Sequence, residues 1–330
     1  MRDLTDDVAL LRLVLEALRS SGVDPDRVLA RLGLPPGGLP AGRYPHAAQA
    51  PFWAAASAEC GQEHIGLYLA RFLPPFSGLL LEYLFLSSAT FGEGLRHALR
   101  YLRLLSETLH AQLQVDGTQA TLVLELGAPV PRHFPEMFAG AVIRLFGGLT
   151  EGAFRPHGLQ LKHADGAPSE LYAEVYGCPV QLGAERYALQ FDAAVLDRAS
   201  RHAAPDLLRI HEALARRQLS EVERLDLVRQ VRGLIAELLL EEGATLEQVS
   251  SRLQMPARRL RERLALAGVR FNDLVTDHRC RLAKQLLLDT DERIEVIVER
   301  TGFSEPSTFY RAFKRWVGET PVEFRKRGKH

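Results

Sequence analysis

A spacing that occurs twice near the C-terminal end constrains the fold more than any single motif. Leu246, Val249, Leu253, Leu260, Leu264, Gly268, Phe271 and Leu274 return as Ile294, Ile297, Thr301, Phe309, Phe313, Gly318, Pro321 and Phe324, at an offset of 48 to 50 residues. A repeated spacing means a repeated supersecondary unit. In the second copy Ile294, Ile297 and Val298 recur at helical i, i+3, i+4 positions, and the pattern stops at Thr301-Gly302-Phe303, where Gly302 can take the left-handed conformation that ends a helix. A new helix restarts at once. Ser304 is placed to cap it, Glu305 suits the positive end of its dipole, and Pro306 in its first turn needs no backbone donor.

That helix runs to about Val317. At about 100° per residue, Phe309, Ala312, Phe313 and Trp316 share one narrow apolar arc, Ser307, Arg311 and Lys314 lie opposite, and Thr308, Tyr310 and Arg315 flank them. Two short helices joined by a tight glycine turn, the second apolar inside and basic outside, have the layout of a helix-turn-helix. A surface helix whose charges merely meet water has the same pattern, and the duplication is what favours DNA. In the first copy, Leu260, Leu264, Ala257 and Ala267 fall inside, with Arg258, Arg261, Glu262 and Ala265 outside. Arg258 and Arg261 could donate to guanine or to phosphate, whereas Glu262 could only accept from a cytosine amine. Residues 273–288 read as one helix of about 16 residues, roughly 24 Å long, able to hold two recognition helices about one duplex turn, ~34 Å, apart. Arg325, Lys326, Arg327 and Lys329 sit where backbone phosphates would be approached.

Formal charge over the 330 residues is zero, which by itself argues against a nucleic-acid binder. The average conceals an asymmetry. Residues 245–330 carry 18 Lys and Arg against 12 Asp and Glu, a net of +6 that the rest of the chain balances with −6. Cys60, Cys178 and Cys280 are odd in number and far apart, so free buried thiols are expected rather than a disulfide framework or a zinc site. Glu82 and Glu237 interrupt the two longest apolar runs, so no membrane span and a cytoplasmic location are expected.

The length suits two domains, divided here as 1–200, a linker helix over 201–221 and a DNA-binding domain over 222–330. The fold class expected is an α+β N-terminal domain, with helices and a small, mainly antiparallel sheet, followed by an all-α C-terminal domain with two helix-turn-helix units. Within the first, 34–51 is rich in Pro and Gly and reads as a loop crossing, and Leu95, Ala98, Leu99, Leu102, Leu105 and Leu109 read as one helical stripe. Residues 113–115 and 121–126 read as a hairpin with a type I′ turn at Asp116-Gly117. Strands are also expected over 159–163, 180–181 and 187–191, and helices over 135–149, 168–176, 205–219 and 225–240, the 205–219 helix being either a linker or part of a dimer seam.

The residues Arg279 through Ala283, Leu286-Leu287, Ile294, Gly302-Phe303-Ser304, Ser307, Phe309, Arg311 through Trp316, Gly318, Pro321 and Phe324-Arg325 resemble the signature of the AraC/XylS family of bacterial transcription regulators. The resemblance covers about residues 222–327 and implies seven helices with two helix-turn-helix units on one linker helix. Departures cluster in the first unit. Gln254 replaces the usual turn glycine, Pro256 a capping serine and Glu262 a frequent arginine, so the turn is expected to bend differently and base reading by 256–266 is left open. In the second unit Val298 stands for the usual alanine and should crowd its packing.

Gly66 through Ala70, Leu79 through Ser88, Leu95 through Ser106 and Phe191-Asp192 resemble, more weakly, the non-cupin, arabinose-binding-like sensor domain of one branch. That resemblance implies that residues 1–200 are a small-molecule effector-binding domain, and it gives no chemistry. Separately, greasy residues with arginine nearby could line a pocket for a lipid-like or carboxylated effector, the candidates being Tyr68, Phe72, Phe76, Arg96 and Tyr101. The expected partners are double-stranded DNA, the effector, a second copy of the chain and RNA polymerase, without cofactor or metal. The DNA contacts expected are Arg258, Arg261, Glu262, Ser307, Thr308, Tyr310, Arg311, Lys314, Arg315 and Arg325. Two other classes stay open: an effector-independent DNA-bending protein, and an enzyme domain fused to a DNA-binding module. Against the enzyme, the sequence holds no GxSxG, HExxH or GxxxxGK[ST], and His157 and His163 bracket a strand without a third ligand.

Overall fold

The computed structural model describes residues 4–37, 39, 42–239 and 244–328. The chain divides into two compact units, one ending at Leu219 and the other beginning at Ser220.

The first unit opens with β1 (Thr5–Asp7) and α1 (Val8–Ser20), whose first turn is capped by the Asp7 carboxylate accepting from the Ala9 amide at 2.8 Å. α2 (Pro25–Arg31) is capped in the same way by Asp24. The stretch expected as a loop crossing instead holds β2 (Arg43–Pro45), antiparallel to β1, and the start of α3 (Gln49–Cys60). The reason is a buried polar cluster that pins this segment. Asp6 accepts from His46 Nδ1 at 2.9 Å, Gln49 Nε2 at 2.8 Å and Ser106 Oγ at 2.5 Å.

Three further helices follow, α4 (Ile65–Ala70), α5 (Leu80–Ser87) and α6 (Phe91–Arg100). The leucine stripe therefore does not form one helix. It breaks after Arg100, and Leu109 begins β3 (Leu109–Asp116), because Ser106 is drawn to Asp6 and the Thr108 amide donates to Ser106 Oγ at 3.1 Å. β3 pairs with β4 (Gln119–Leu126) as the hairpin requires. Its two-residue loop is Gly117-Thr118, one position later than expected. Only Gly117 has positive φ there, +56°, which fits a II′ turn rather than I′.

α7 (His133–Leu149), β5 (Pro156–Gln160), α8 (Ser169–Tyr176), β6 (Val180–Gln181) and β7 (Tyr187–Asp192) complete a five-stranded sheet of order β3-β4-β7-β5-β6, antiparallel except for β5 against β6. Its core gathers Phe85, Phe91, Phe146, Phe154 and Phe191. Glu136 on α7 is fully buried, with Tyr172 donating to it at 2.6 Å and Arg132 and His163 at 3.1 and 3.2 Å. Burial alone would raise its pKa, but the bonds from His133, His163 and Tyr172 and the Arg132 charge outweigh it and hold the carboxyl well below the usual range. His163 is thus part of the core, and His157 is exposed.

One helix, α9 (Pro205–Leu239), replaces the two that the sequence suggested, because no helix breaker occurs between Leu219 and Leu225. The second unit continues with α10 (Leu246–Arg252), α11 (Ala257–Leu266), α12 (Phe271–Asp289), α13 (Ile294–Arg300), α14 (Pro306–Val317) and α15 (Pro321–Gly328). It contains two hydrophobic clusters. Val231, Ile235, Val249, Leu260, Leu264 and Leu274 make one, and Ala283, Leu287, Ile297, Phe309, Phe313 and Phe324 the other. α12 supplies Leu274 to the first and Ala283 and Leu287 to the second. All three cysteines are free, with Cys178 buried, its thiol pushed up to about 11, and Cys60 and Cys280 half-buried. Among the described residues, no helix is long and apolar enough to cross a membrane.

The Asp6–His46 pair sets a pH dependence. Hydrogen bonding to Asp6 raises the His46 pKa against the opposing effect of burial. Its contribution to stability is therefore complete below the unfolded value of about 6.5 and is lost as pH rises through the higher folded value. The Asp6 pKa is lowered, burial being outweighed by the His46, Ser106 and Gln49 bonds, so its contribution is present above about 3.9 and is lost as pH falls through the folded value. The urea midpoint of the first unit should fall as pH rises above about 6.5 in the natural chain and run flatter there in His46→Gln. Equal slopes would remove this role.

Candidate nucleic-acid interface and an apolar cavity

α13 ends where the Gly302 amide bonds to the Glu299 carbonyl at 2.9 Å and the Phe303 amide to the Val298 carbonyl at 3.0 Å, with Gly302 at φ +73°. The corner is tightly packed. A Cβ at Gly302 would come within 3.1 Å of Leu239 and 3.2 Å of the Arg279 guanidinium, which donates to the Gly302 carbonyl at 3.1 Å and lies 5.0 Å from the Phe303 ring centroid. The Val298 that was expected to crowd this packing is itself buried. α14 starts with Pro306 at its first position, but Glu305 rather than Ser304 is its cap, and no side chain bonds there. Phe309, Ala312 and Phe313 are buried, while Ser307, Thr308, Arg311, Lys314 and Arg315 are exposed and Tyr310 is half-buried. The outward face can donate to base edges or phosphates, as the sequence arc indicated.

The first unit makes the same corner. Gln254 adopts φ +53°, its amide bonds to the Ser251 carbonyl at 3.0 Å, and the Met255 amide bonds to the Ser250 carbonyl at 3.0 Å. The turn is therefore not bent differently, because the backbone accepts a glutamine in the left-handed region rather than abandon the hydrogen-bond pattern. A Thr245–Gln248 capping box begins α10, a signal that Thr-x-x-Gln carries in the sequence. On α11, Arg258, Arg261 and Glu262 are exposed as expected, and Arg258 Nε bonds to Glu262 at 3.0 Å. Arg259 is exposed too; it lies as far from Leu260 around the helix as Arg261, on the other side, and the sequence reading left it out.

Not every cation of the tail faces outward. Arg325 Nη2 donates to the Glu292 carbonyl at 2.7 Å, tying α15 to the loop before α13, and Arg327 pairs with Glu319 at 2.6 Å. Lys326 is exposed, and Lys329 lies outside the described residues.

In the first unit α5, α6, α7 and the sheet border a cavity of about 110 Å³, walled by apolar groups such as Phe85, Leu95, Leu99, Leu122, Phe138 and Val142. Glu82 and Ser77 are its polar residues, and the Glu82 carboxylate accepts from the Ser77 and Leu79 amides, both at 2.9 Å. A second cavity of about 260 Å³ adjoins it and carries Phe76, Glu151, Arg198, Arg201 and His202. Of the five candidate pocket residues, Phe76 lines this second cavity. Tyr68 and Phe72 pack on each other with centroids 5.1 Å apart, Tyr101 is buried outside the two linings, and Arg96 is exposed.

Residues 22–200 match the arabinose-binding N-terminal domain of AraC transcription regulators, and residues 249–327 match a helix-turn-helix domain. The chain belongs to the AraC family of transcription regulators. It is similar to the HTH-type transcriptional regulator VirS of Mycobacterium tuberculosis, 30% identical over 328 residues, covering 95% of this chain and 94% of that one. It is similar as well to the ornithine utilization regulator of Pseudomonas aeruginosa, 28% identical over 277 residues, covering 82% and 81%. The solved structure of the transcriptional regulator CdpR from Pseudomonas aeruginosa aligns over 96% of this chain and 98% of that one, with 20% identity and a TM-score of 0.49. As an AraC-family protein the chain is a DNA-binding transcription regulator, with an α+β arabinose-binding-like domain ahead of an all-α helix-turn-helix domain.

If Gln254 carries the conformation that Gly302 carries in the second unit, Gln254→Gly should raise stability by about 0.5–1 kcal/mol. Urea unfolding measures this, and a lower midpoint in the glycine variant would show that the Gln254 side chain makes a compensating contribution.

Proposed function

We propose that this regulator reads its operator chiefly with α14 and is controlled by a small molecule held in the cavity of its first unit. The observation that carries the reading is the division of α14 into a buried aromatic face and an exposed face bearing Ser307, Arg311 and Lys314. In this proposal Arg311 and Ser307 contact base edges in the major groove of double-stranded DNA, with Thr308 and Tyr310 beside them. Lys314, Arg315 and Lys326 hold phosphates, and Arg258, Arg261 and Glu262 of α11 make the corresponding approach from the first helix-turn-helix. Arg325 acts mainly by fixing α15. Residues up to about 200 form the sensor and those from about 222 the DNA-binding domain. The effector contacts are the cavity walls, Phe76 among them. A cytoplasmic location and contact with RNA polymerase belong to the same proposal.

Replacing Arg311 by Ala should cost about 1–3 kcal/mol at the matched operator and much less on scrambled DNA. Fluorescence titration of both fragments at one fixed salt concentration decides it, and equal losses on the two would reduce Arg311 to a phosphate contact.

A second copy is the partner we assign to α9. Leu207, Ile210 and Leu214 stand 51%, 61% and 42% exposed at i, i+3, i+7 spacing, the seam geometry of paired helices, so the same stripe on another chain is self-complementary. Leu207→Glu with Ile210→Glu should convert a dimer to a monomer in light scattering. A dimer that survives both changes would place the seam elsewhere.

A further inference from the structure

We propose that the effector is a single-chain aliphatic carboxylic acid, and that Glu151 holds the position of its carboxylate until it binds. The inference rests on reading the first-unit cavity as the effector site, and it adds the chemical class.

The shape of the site is the first observation. The 260 Å³ and 110 Å³ cavities share Pro75 and Leu145, and the 110 Å³ cavity shares Leu122, Leu124, Phe138 and Val142 with a third of about 50 Å³. The linings of all three lie along one face of α7, from Pro135 to Leu149, a span of roughly 21 Å at 1.5 Å per residue. A row of adjoining, mostly apolar cavities takes a chain rather than a compact ring. Glu82 does not alter this, because the Ser77 and Leu79 amides occupy its carboxylate.

The second observation is the charge at one end. Arg198, Arg201 and His202 line the 260 Å³ cavity together with a single acid, Glu151. Glu151 pairs with Arg201 at 2.9 Å and with Arg198 at 3.6 Å, one carboxylate oxygen to each.

The third is the backbone that holds this acid. α7 ends in a Schellman turn, the Gly152 amide bonding to the Gly147 carbonyl at 2.7 Å and the Glu151 amide to the Gly148 carbonyl at 3.2 Å. Glu151 occupies the left-handed position of that turn at φ +53°, where glycine is the unstrained choice, and Gly152 beside it is left-handed as well. Glu151 and Gln254 are the non-glycine residues with positive φ among the described residues. A disfavoured conformation retained on a residue whose side chain bridges two arginines at a cavity points to function rather than to the turn. Glu151 acts as an internal anion that an incoming carboxylate replaces on the same two guanidinium groups, while the chain enters past Pro75 and Leu145.

Isothermal titration of the full chain with dodecanoate, dodecanol and butyrate tests the assignment. Dodecanoate should bind, dodecanol should bind roughly tenfold more weakly, and butyrate should give no measurable heat. Glu151→Gly should tighten dodecanoate roughly tenfold and leave dodecanol unchanged, and Arg201→Ala should abolish the preference between them. Equal affinity for dodecanoate and dodecanol in the natural chain and both variants would overturn the carboxylate assignment while leaving the apolar cavity as the effector site. Failure of both to bind overturns the aliphatic class. Val142→Trp, with Ala141→Phe as a second filling variant, should remove binding of both. Retention by folded forms of these two variants would overturn the cavity reading itself.

Discussion

Cations can face outward on α14 only because Phe309 and Phe313 face inward, each fully buried. A helix of 12 residues is marginal on its own in water, so its conformation is set by packing rather than by propensity. Burying one phenylalanine stabilises by about 1.5–3 kcal/mol, more than a surface ion pair offers. The aromatic wedge therefore fixes the rotation of the helix, and the positions of Arg311 and Lys314 follow from it. Phe303 packs on Phe309 at 5.6 Å and Phe324 on Phe313 at 5.5 Å, so the turn before α14 and the helix after it are held by the same wedge. Arg279 closes the corner from α12 through the Gly302 carbonyl.

Two small cores on one bar explain how such short helices persist. Neither helix-turn-helix has an apolar face large enough to stand alone, and α12 completes both, giving Leu274 to one and Ala283 and Leu287 to the other. The first core is entirely aliphatic in its buried residues, whereas the second uses aromatic rings. Gln254 shows which part of the repeat is constrained. The side chain at the corner changed, yet the two hydrogen bonds and the positive φ stayed, because losing them would leave buried backbone groups without partners.

The second unit was legible because helical periodicity is local. Phe309 and Phe313, or Leu260 and Leu264, declare the inward face within a few residues of one another, and the exposed set follows by geometry. The hairpin was legible for the same reason, with the turn misplaced by one because Asp116 remains paired with Gln119. The leucine stripe from 95 to 109 misled because its spacing stays in helical phase while Ser106 is claimed by Asp6, a hundred residues earlier. The continuity of α9 was missed for the opposite reason, since the polar sequence between its two apolar stretches suggests a break but contains no breaker. The cavity could not be read at all. Phe85, Leu99, Leu122 and Val142 are ordinary core residues in sequence, and only the tertiary fold shows that they also border a cavity.

Energetics separate what would bind an effector from what would select it. Arg198, Arg201 and Glu151 have side chains 42%, 78% and 45% exposed, so their mutual pairing contributes about 0–1 kcal/mol, and exchanging Glu151 for a ligand carboxylate changes that pairing little. Affinity must then come from the apolar path, at about 0.8 kcal/mol for each methylene withdrawn from water. Selectivity comes from the alternatives. A neutral head group would leave the arginines with Glu151 and the left-handed backbone at about 1 kcal/mol above its relaxed state, whereas an acid frees that residue. The relaxation has a direct structural neighbour, because Arg198 and Arg201 lie in the segment that leads into α9. That segment is tied down by the Phe91 amide donating to the Arg198 carbonyl at 2.9 Å, the Ser200 amide to the Ala89 carbonyl at 2.9 Å and the Ala204 amide to the Ser87 carbonyl at 3.0 Å. An effector that prefers one arrangement of these bonds can bias the start of α9 by no more than its own difference in affinity for the two arrangements. A weak, chain-driven ligand with a small head-group preference would therefore give graded regulation of a few fold rather than an all-or-none switch.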